Sequence, residues 1–114
     1  MKEKRSTERR ETYEYWTVTE TATGRRIGVV IDLTREGLRL HCEEIIPSGK
    51  LIQVTVHIDK KIAGTDKIDL ELRCRWCRKT RVSHLNAVGF AIVSPSPDYL
   101  KIEQKLIDFF STVV

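Results

Sequence analysis

The chain has 114 residues, 40% hydrophobic and 32% charged, enough for one compact domain with a single core, and no apolar run approaches the ~18 residues a membrane span needs. A formal net charge of +4 favours an anionic partner. Three cysteines without framework spacing argue against a disulfide scaffold, and no apolar stretch follows the basic N-terminus as a secretory signal requires, so the expected location is the cytoplasm.

Residues 1–11, MKEKRSTERRE, are almost wholly polar, and the first ten hold five Lys or Arg against two Glu. No core forms from such a segment, which is expected to be a flexible, solvated arm. Its arginines are spaced R-x-x-x-R at Arg5 and Arg9, with Arg10 alongside, and together they offer several guanidinium forks to phosphate. The domain proper is expected over 12–114.

Residues 12–20, TYEYWTVTE, read as a strand whose facing the alternation leaves open, since Trp16 and Val18 share one side and Tyr13 and Tyr15 the other. Thr21–Gly24 reads as a turn. From Arg25 to Leu33 the alternation predicts Ile27, Val29, Ile31 and Leu33 inside, with Arg26 and Asp32 outside. Leu38, Leu40 and Cys42 then alternate with Arg39 and His41. After a turn at Pro47-Ser-Gly49, Ile52, Val54, Val56 and Ile58 point inward, and residues 59–67 read as a polar connection. The longest alternation follows, with Ile68, Leu70, Leu72, Cys74 and Trp76 on the core face and Arg73, Arg75 and Cys77 on the other. A basic loop (78–86) precedes a strand over 87–93 with Phe90 and Ile92 inward. The period changes after Ser94-Pro-Ser-Pro97: Ser96 is a good N-cap, Pro97 suits the first helical position, and Ile102, Leu106, Phe109 and Val113 form a stripe, so a closing helix is expected over 97–113. Six short strands with frequent turns and one helix point to an all-β barrel or sandwich.

The sharpest local feature is Asp32-Leu-Thr34-Arg-Glu-Gly37, set between two strands. Asp32 and Thr34 lie two residues apart, so an extended chain presents a carboxylate and a hydroxyl together on one side. Gly37 closes the turn, where the missing Cβ permits unusual backbone angles or close approach of a partner. Ordinary turn chemistry alone would also account for these residue types. Cys74-Arg-Trp-Cys77 has the spacing of a metal knuckle or redox pair, but strand parity sends Cys74 inward and Cys77 outward, which argues against a shared metal, and no helix follows as a redox pair requires. His41 and His57 are expected outside and solvated. No phosphate loop, zincin helix or nucleophile elbow is present, so no enzymatic activity, metal or cofactor is expected. A single-stranded nucleic-acid binder would suit the basic run Arg73, Arg75, Arg78, Lys79 and Arg81, but exposed aromatics for base stacking are missing once Trp76, Phe90 and Phe109 go to the core.

Arg5-x-x-x-Arg9, then Asp32-x-Thr34-x-x-Gly37, then Cys74-Arg-Trp76 and Val88-Gly-Phe90 with a C-terminal helix, resembles the PilZ family over nearly the whole chain. The resemblance implies a six-stranded antiparallel barrel that binds the bacterial second messenger cyclic di-GMP. It implies that Arg5 and Arg9 clasp the phosphates and cover guanine faces, that Asp32 and Thr34 bond guanine edges, and that Gly37 allows close approach; the role of Arg10 is open. Guanine N1–H and its amino group suit a carboxylate, and planar guanidinium groups suit purine faces. The family usually has serine where this chain has Thr34, and the added methyl stiffens χ1. A lone domain of this kind is expected to change shape on binding and to present the result to an effector protein, with no DNA or RNA partner. The alternative is a barrel of the same family that binds no nucleotide and acts through protein contacts alone.

Overall fold

The computed structural model describes residues 16–58, 60–81 and 84–113. The arginine arm, and residues 12–15 of the strand expected over 12–20, lie outside the described residues. Six antiparallel strands close into a barrel in the spatial order β1-β2-β3-β6-β5-β4: β1 (Thr17–Glu20), β2 (Arg26–Thr34), β3 (Gly37–Cys42), β4 (Leu51–His57), β5 (Lys67–Lys79) and β6 (Asn86–Val93). A short helix α1 (Lys60–Ala63) and the C-terminal helix α2 (Pro97–Val113) complete it. The connection read as polar thus contains a helical turn, held because Ala63 is buried against the core.

The interior is aliphatic. Val18, Val30, Leu40, Val54, Leu72 and Val88 are fully buried. Burial of this kind stabilises the fold by roughly 1.5–3 kcal/mol per large side chain. Where the ladder is unbroken, alternation places side chains as expected: β4 and β5 stay in register from Leu51↔Arg73 to His57↔Lys67, with Ile52, Val54 and Val56 facing Leu72, Leu70 and Ile68 inside. β1 is the shortest strand and forms the seam, pairing with β2 from Thr17 to Thr19 and with β4 from Val18 to Glu20.

Three slips interrupt the ladders, one where β1 crosses β2 between Val18 and Thr19 and two, in β2 and β5, that overturn the expected alternation. In β2, Val30 pairs with Leu40 but Asp32 pairs with Arg39, so Ile31 is an extra residue. The buried positions are accordingly Gly28, Val30 and Leu33, while Ile27, Val29 and Ile31, expected inside, are only half-buried. In β5, Cys74 pairs with Phe90 and Trp76 with Gly89, making Arg75 the extra residue. Beyond it the parity inverts. Trp76, expected in the core, turns to the outer face, and Cys77, expected outside, pairs with fully buried Val88 and packs against the core. The loop between β3 and β4 satisfies the disturbed backbone: Gly49 N donates to Cys74 O (2.7 Å), Cys74 N to Lys50 O (2.8 Å) and Ser48 Oγ to Arg75 O (3.1 Å).

Ser96 caps α2, its Oγ accepting from Tyr99 N at 3.1 Å. The buried stripe runs Tyr99, Leu106 and Phe110, with Ile102 and Phe109 beside it, one residue round from the expected face at its C-terminal end; the side chain of Val113 lies outside the described set. The shift is set by Trp16, which is fully buried, stacks on Phe109 (5.1 Å between centroids) and meets Phe110 edge-on (4.8 Å). No helix among the described residues is long and apolar enough to cross a membrane.

Candidate ligand-binding groove

The two bulges act on the same place. Each delivers one chemically useful side chain to the outer face, and the register aligns both in one row across four strands: Asp32 on β2, Arg39 on β3, Gly89 on β6 and Trp76 on β5. Without the slip in β2, Arg39 would face Ile31, and without the slip in β5, Gly89 would face Arg75. The row floors an open groove of about 420 Å³ whose walls include Thr34, Gly37 and Arg75.

At one end, Asp32 carries its carboxylate above the sheet, and Arg39 Nη2 donates to Asp32 Oδ2 at 3.1 Å. Thr34 and Gly37 are paired, so Arg35 and Glu36 form a two-residue loop. Thr34 Oγ1 accepts from Glu36 N at 3.2 Å and lies 3.5 Å from Gly37 O, so the hydroxyl first of all holds the turn. Gly37 has a structural reason of its own. A Cβ there would collide with the carbonyl oxygen of Phe90 on β6, so the close approach it permits is that of a neighbouring strand. Arg35 reaches out of the loop and donates through Nη2 to Gln104 Oε1 on α2, tying the turn to the helix.

At the other end, the indole of Trp76 lies across Gly89, where any Cβ would collide with the ring. The guanidinium of Arg78 sits over the same ring, 5.1 Å from its centroid. Trp76 is the functional candidate that alternation hid. The only sequence signal that could have exposed it is Gly89, a side-chain-free position at the centre of a strand, which marks a close approach from the outer face.

Other expected features fall elsewhere. Cys42, Cys74 and Cys77 are free thiols facing the barrel interior; burial first, then the neighbouring Cys77 and Cys74, pushes the Cys42 thiol up to about 12, and burial raises Cys74 as well. Among the described residues no group of three His, Cys, Asp or Glu side chains is placed to hold a metal ion. His57 is not simply solvated but shares a 3.0 Å hydrogen bond with Thr19 Oγ1 on the outer face of the seam. His41 lines a separate hollow with Arg26, Gly28 and Glu43, its basicity lowered by partial burial and by Arg39. Arg5, Arg9 and Arg10 lie outside the described residues.

The family model for the PilZ domain matches residues 3–111, essentially the whole chain. The chain belongs to the PilZ domain family. No curated protein and no solved structure matches it significantly. PilZ domains are known as cyclic di-GMP-binding modules and act by binding rather than by catalysis. In this PilZ domain the matched span takes in both the groove and Arg5 through Arg10.

Proposed function

We propose that this PilZ domain is a cytoplasmic receptor for cyclic di-GMP that takes the dinucleotide in the groove between the Asp32 turn and Trp76 and passes the signal to a protein partner. The observation that carries the reading is the shared row: a carboxylate able to accept the guanine N1–H and amino donors, and an indole on which a purine could take the place of the Arg78 guanidinium, both on one groove lined by Arg39 and Arg75. Arg5 and Arg9 supply the phosphate contacts, and Arg10 stands next to them for a third. Thr34 contributes its hydroxyl to the guanine-binding end, and Gly37 keeps β3 against β6 so that the turn stays level with the groove.

The magnitudes suffice. Hydrogen bonds to charged groups are worth about 1.5–3 kcal/mol each and base stacking about 1–3. Two of the first and one of the second, with phosphate contacts, offset the ordering of a flexible arm and leave the roughly −8 kcal/mol of micromolar binding. The Arg35–Gln104 hydrogen bond supplies a route outward, because a ligand that shifts the turn also pulls on α2. Three free cysteines suit the reducing cytoplasm.

Calorimetric titration with cyclic di-GMP, with GTP and a short single-stranded DNA as controls, tests the reading. Micromolar or tighter binding of cyclic di-GMP alone is expected, with a change in tryptophan fluorescence that disappears in Trp76→Phe. Absence of both heat and thermal shift would remove the receptor reading.

A further inference from the structure

Arg39 is a residue that the PilZ motif does not include, yet it donates a hydrogen bond to the carboxylate at the Asp32 end of the groove. We propose that Arg39 is the positioning residue that makes Asp32 selective for guanine, an inference that rests on the cyclic di-GMP reading above.

The placement comes from the bulge. Ile31 is skipped in the ladder, so Asp32 rather than an isoleucine stands opposite Arg39, and both side chains leave the sheet on the groove side. On its other flank Arg39 faces Gly89, which has no side chain to compete for the guanidinium. The pair remains open to a ligand, with Arg39 51% and Asp32 32% exposed.

The chemistry gives that contact a purpose. A carboxylate has about four acceptor directions, and Arg39 occupies one on Oδ2. To receive two parallel N–H donors from guanine, the carboxylate must lie in the plane of the base, but the terminal torsion of aspartate is broad and does not select that plane unaided. A charge-assisted bond from a planar guanidinium anchored one strand away restricts it. Adenine presents a lone pair at N1 where guanine presents N–H, so the carboxylate cannot accept a parallel pair from it however it is turned, and holding it in plane gains nothing for adenine. Specificity is thus a difference between two affinities, and Arg39 acts on only one of them.

The test compares cyclic di-GMP with cyclic di-AMP as probes, titrated into the full chain, Arg39→Gln, Arg39→Lys, Asp32→Ala and the Arg39→Gln/Asp32→Ala double variant. Arg39→Gln should weaken cyclic di-GMP about tenfold and leave cyclic di-AMP unchanged, so that the selectivity ratio falls by the same factor. Arg39→Lys, which keeps the charge without the planar fork, should recover part of the loss. In the Asp32→Ala background, Arg39→Gln should cost cyclic di-GMP nothing further. An equal loss for both dinucleotides would overturn the inference and make Arg39 a phosphate contact, and additive losses in the double variant would overturn it equally. If the parent chain bound cyclic di-GMP and Arg39→Gln kept both affinity and selectivity, the inference alone would fall; if the parent did not bind cyclic di-GMP, the receptor reading would fall and take the inference with it. Thermal unfolding of Arg39→Gln within a few degrees of the parent, as expected for an exposed ion pair, confirms that binding and not folding is being read.

Discussion

The β4–β5 ladder and the β2–β3–β6–β5 groove face are built from the same kinds of residue but differ in one respect. The first runs from Leu51↔Arg73 to His57↔Lys67 without a slip, and its inner face is an uninterrupted aliphatic wall. The second is broken once at Ile31 and once at Arg75, and at each break the next polar or aromatic side chain is carried to the outer surface. One region keeps its regularity for packing and the other gives regularity up to place Asp32 and Trp76 at the two ends of one row. Both slips on the groove face bring a polar or aromatic side chain into the candidate site.

Substitutions should separate the two regions by kind of effect. The largest change is expected on the regular side: Leu72→Ala removes a fully buried side chain opposite Ile52, and chemical denaturation should show a loss of about 2–5 kcal/mol, while cyclic di-GMP affinity, measured where the variant is folded, stays near that of the parent. On the groove side, Asp32→Ala should reverse the pattern. Its exposed ion pair with Arg39 contributes no more than about 1 kcal/mol to folding, but two charge-assisted bonds to guanine are lost, and calorimetry should read a fall in affinity of tenfold or more. Trp76→Ala should weaken binding by about 1–3 kcal/mol without unfolding the barrel; a large loss of stability instead would show that the indole belongs to the packing after all. Comparing Gly89→Ala sharpens this, since the added methyl displaces the ring from its seat and should reproduce much of the Trp76→Ala effect on binding.

The smallest effect is on pH. Cys42 and Tyr99 are both pushed up to about 12 from ordinary values of 9.0 and 10.0, chiefly by burial. Because the folded values exceed the unfolded ones, the unfolded chain releases these protons first. Their contribution to stability is therefore intact below about pH 9 and is lost as pH rises towards 12. Thermal unfolding should decline from about pH 9 upward, and in Cys42→Ala the decline should begin later; an identical profile would show that the thiol stays protonated in neither state or both.

Much of this was legible in the residues. Strand number, the Ser96-capped helix and the interiors of β4 and of β5 up to Cys74 follow from period-two and period-3.6 patterning, because in those segments every inward position is apolar and nothing disturbs the count. The turn residues Asp32, Thr34 and Gly37 could be singled out by type. The facing of Trp76 and Cys77 could not. A bulge adds one residue without changing composition, so Cys74-Arg-Trp-Cys77 reads as unbroken alternation although Arg75 has dropped out of the ladder. The partner that satisfies that break is the 47–50 loop, remote in sequence and supplied only by the closed fold. Arg39 was likewise read as a surface residue of β3, since its contact with Asp32 depends on the slip at Ile31.

The shortness of β1 bears on how the barrel opens. Its few ladder bonds on either side make the β1 seam the place where sub-global unfolding should start, and its amide protons should exchange with solvent sooner than those at the centre of β5. The arginine arm is joined in sequence to this same strand. A ligand gripped by the arm on one side and by Asp32 on the other would therefore act as a clasp across the weakest joint, slowing exchange in β1 more than anywhere else in the molecule.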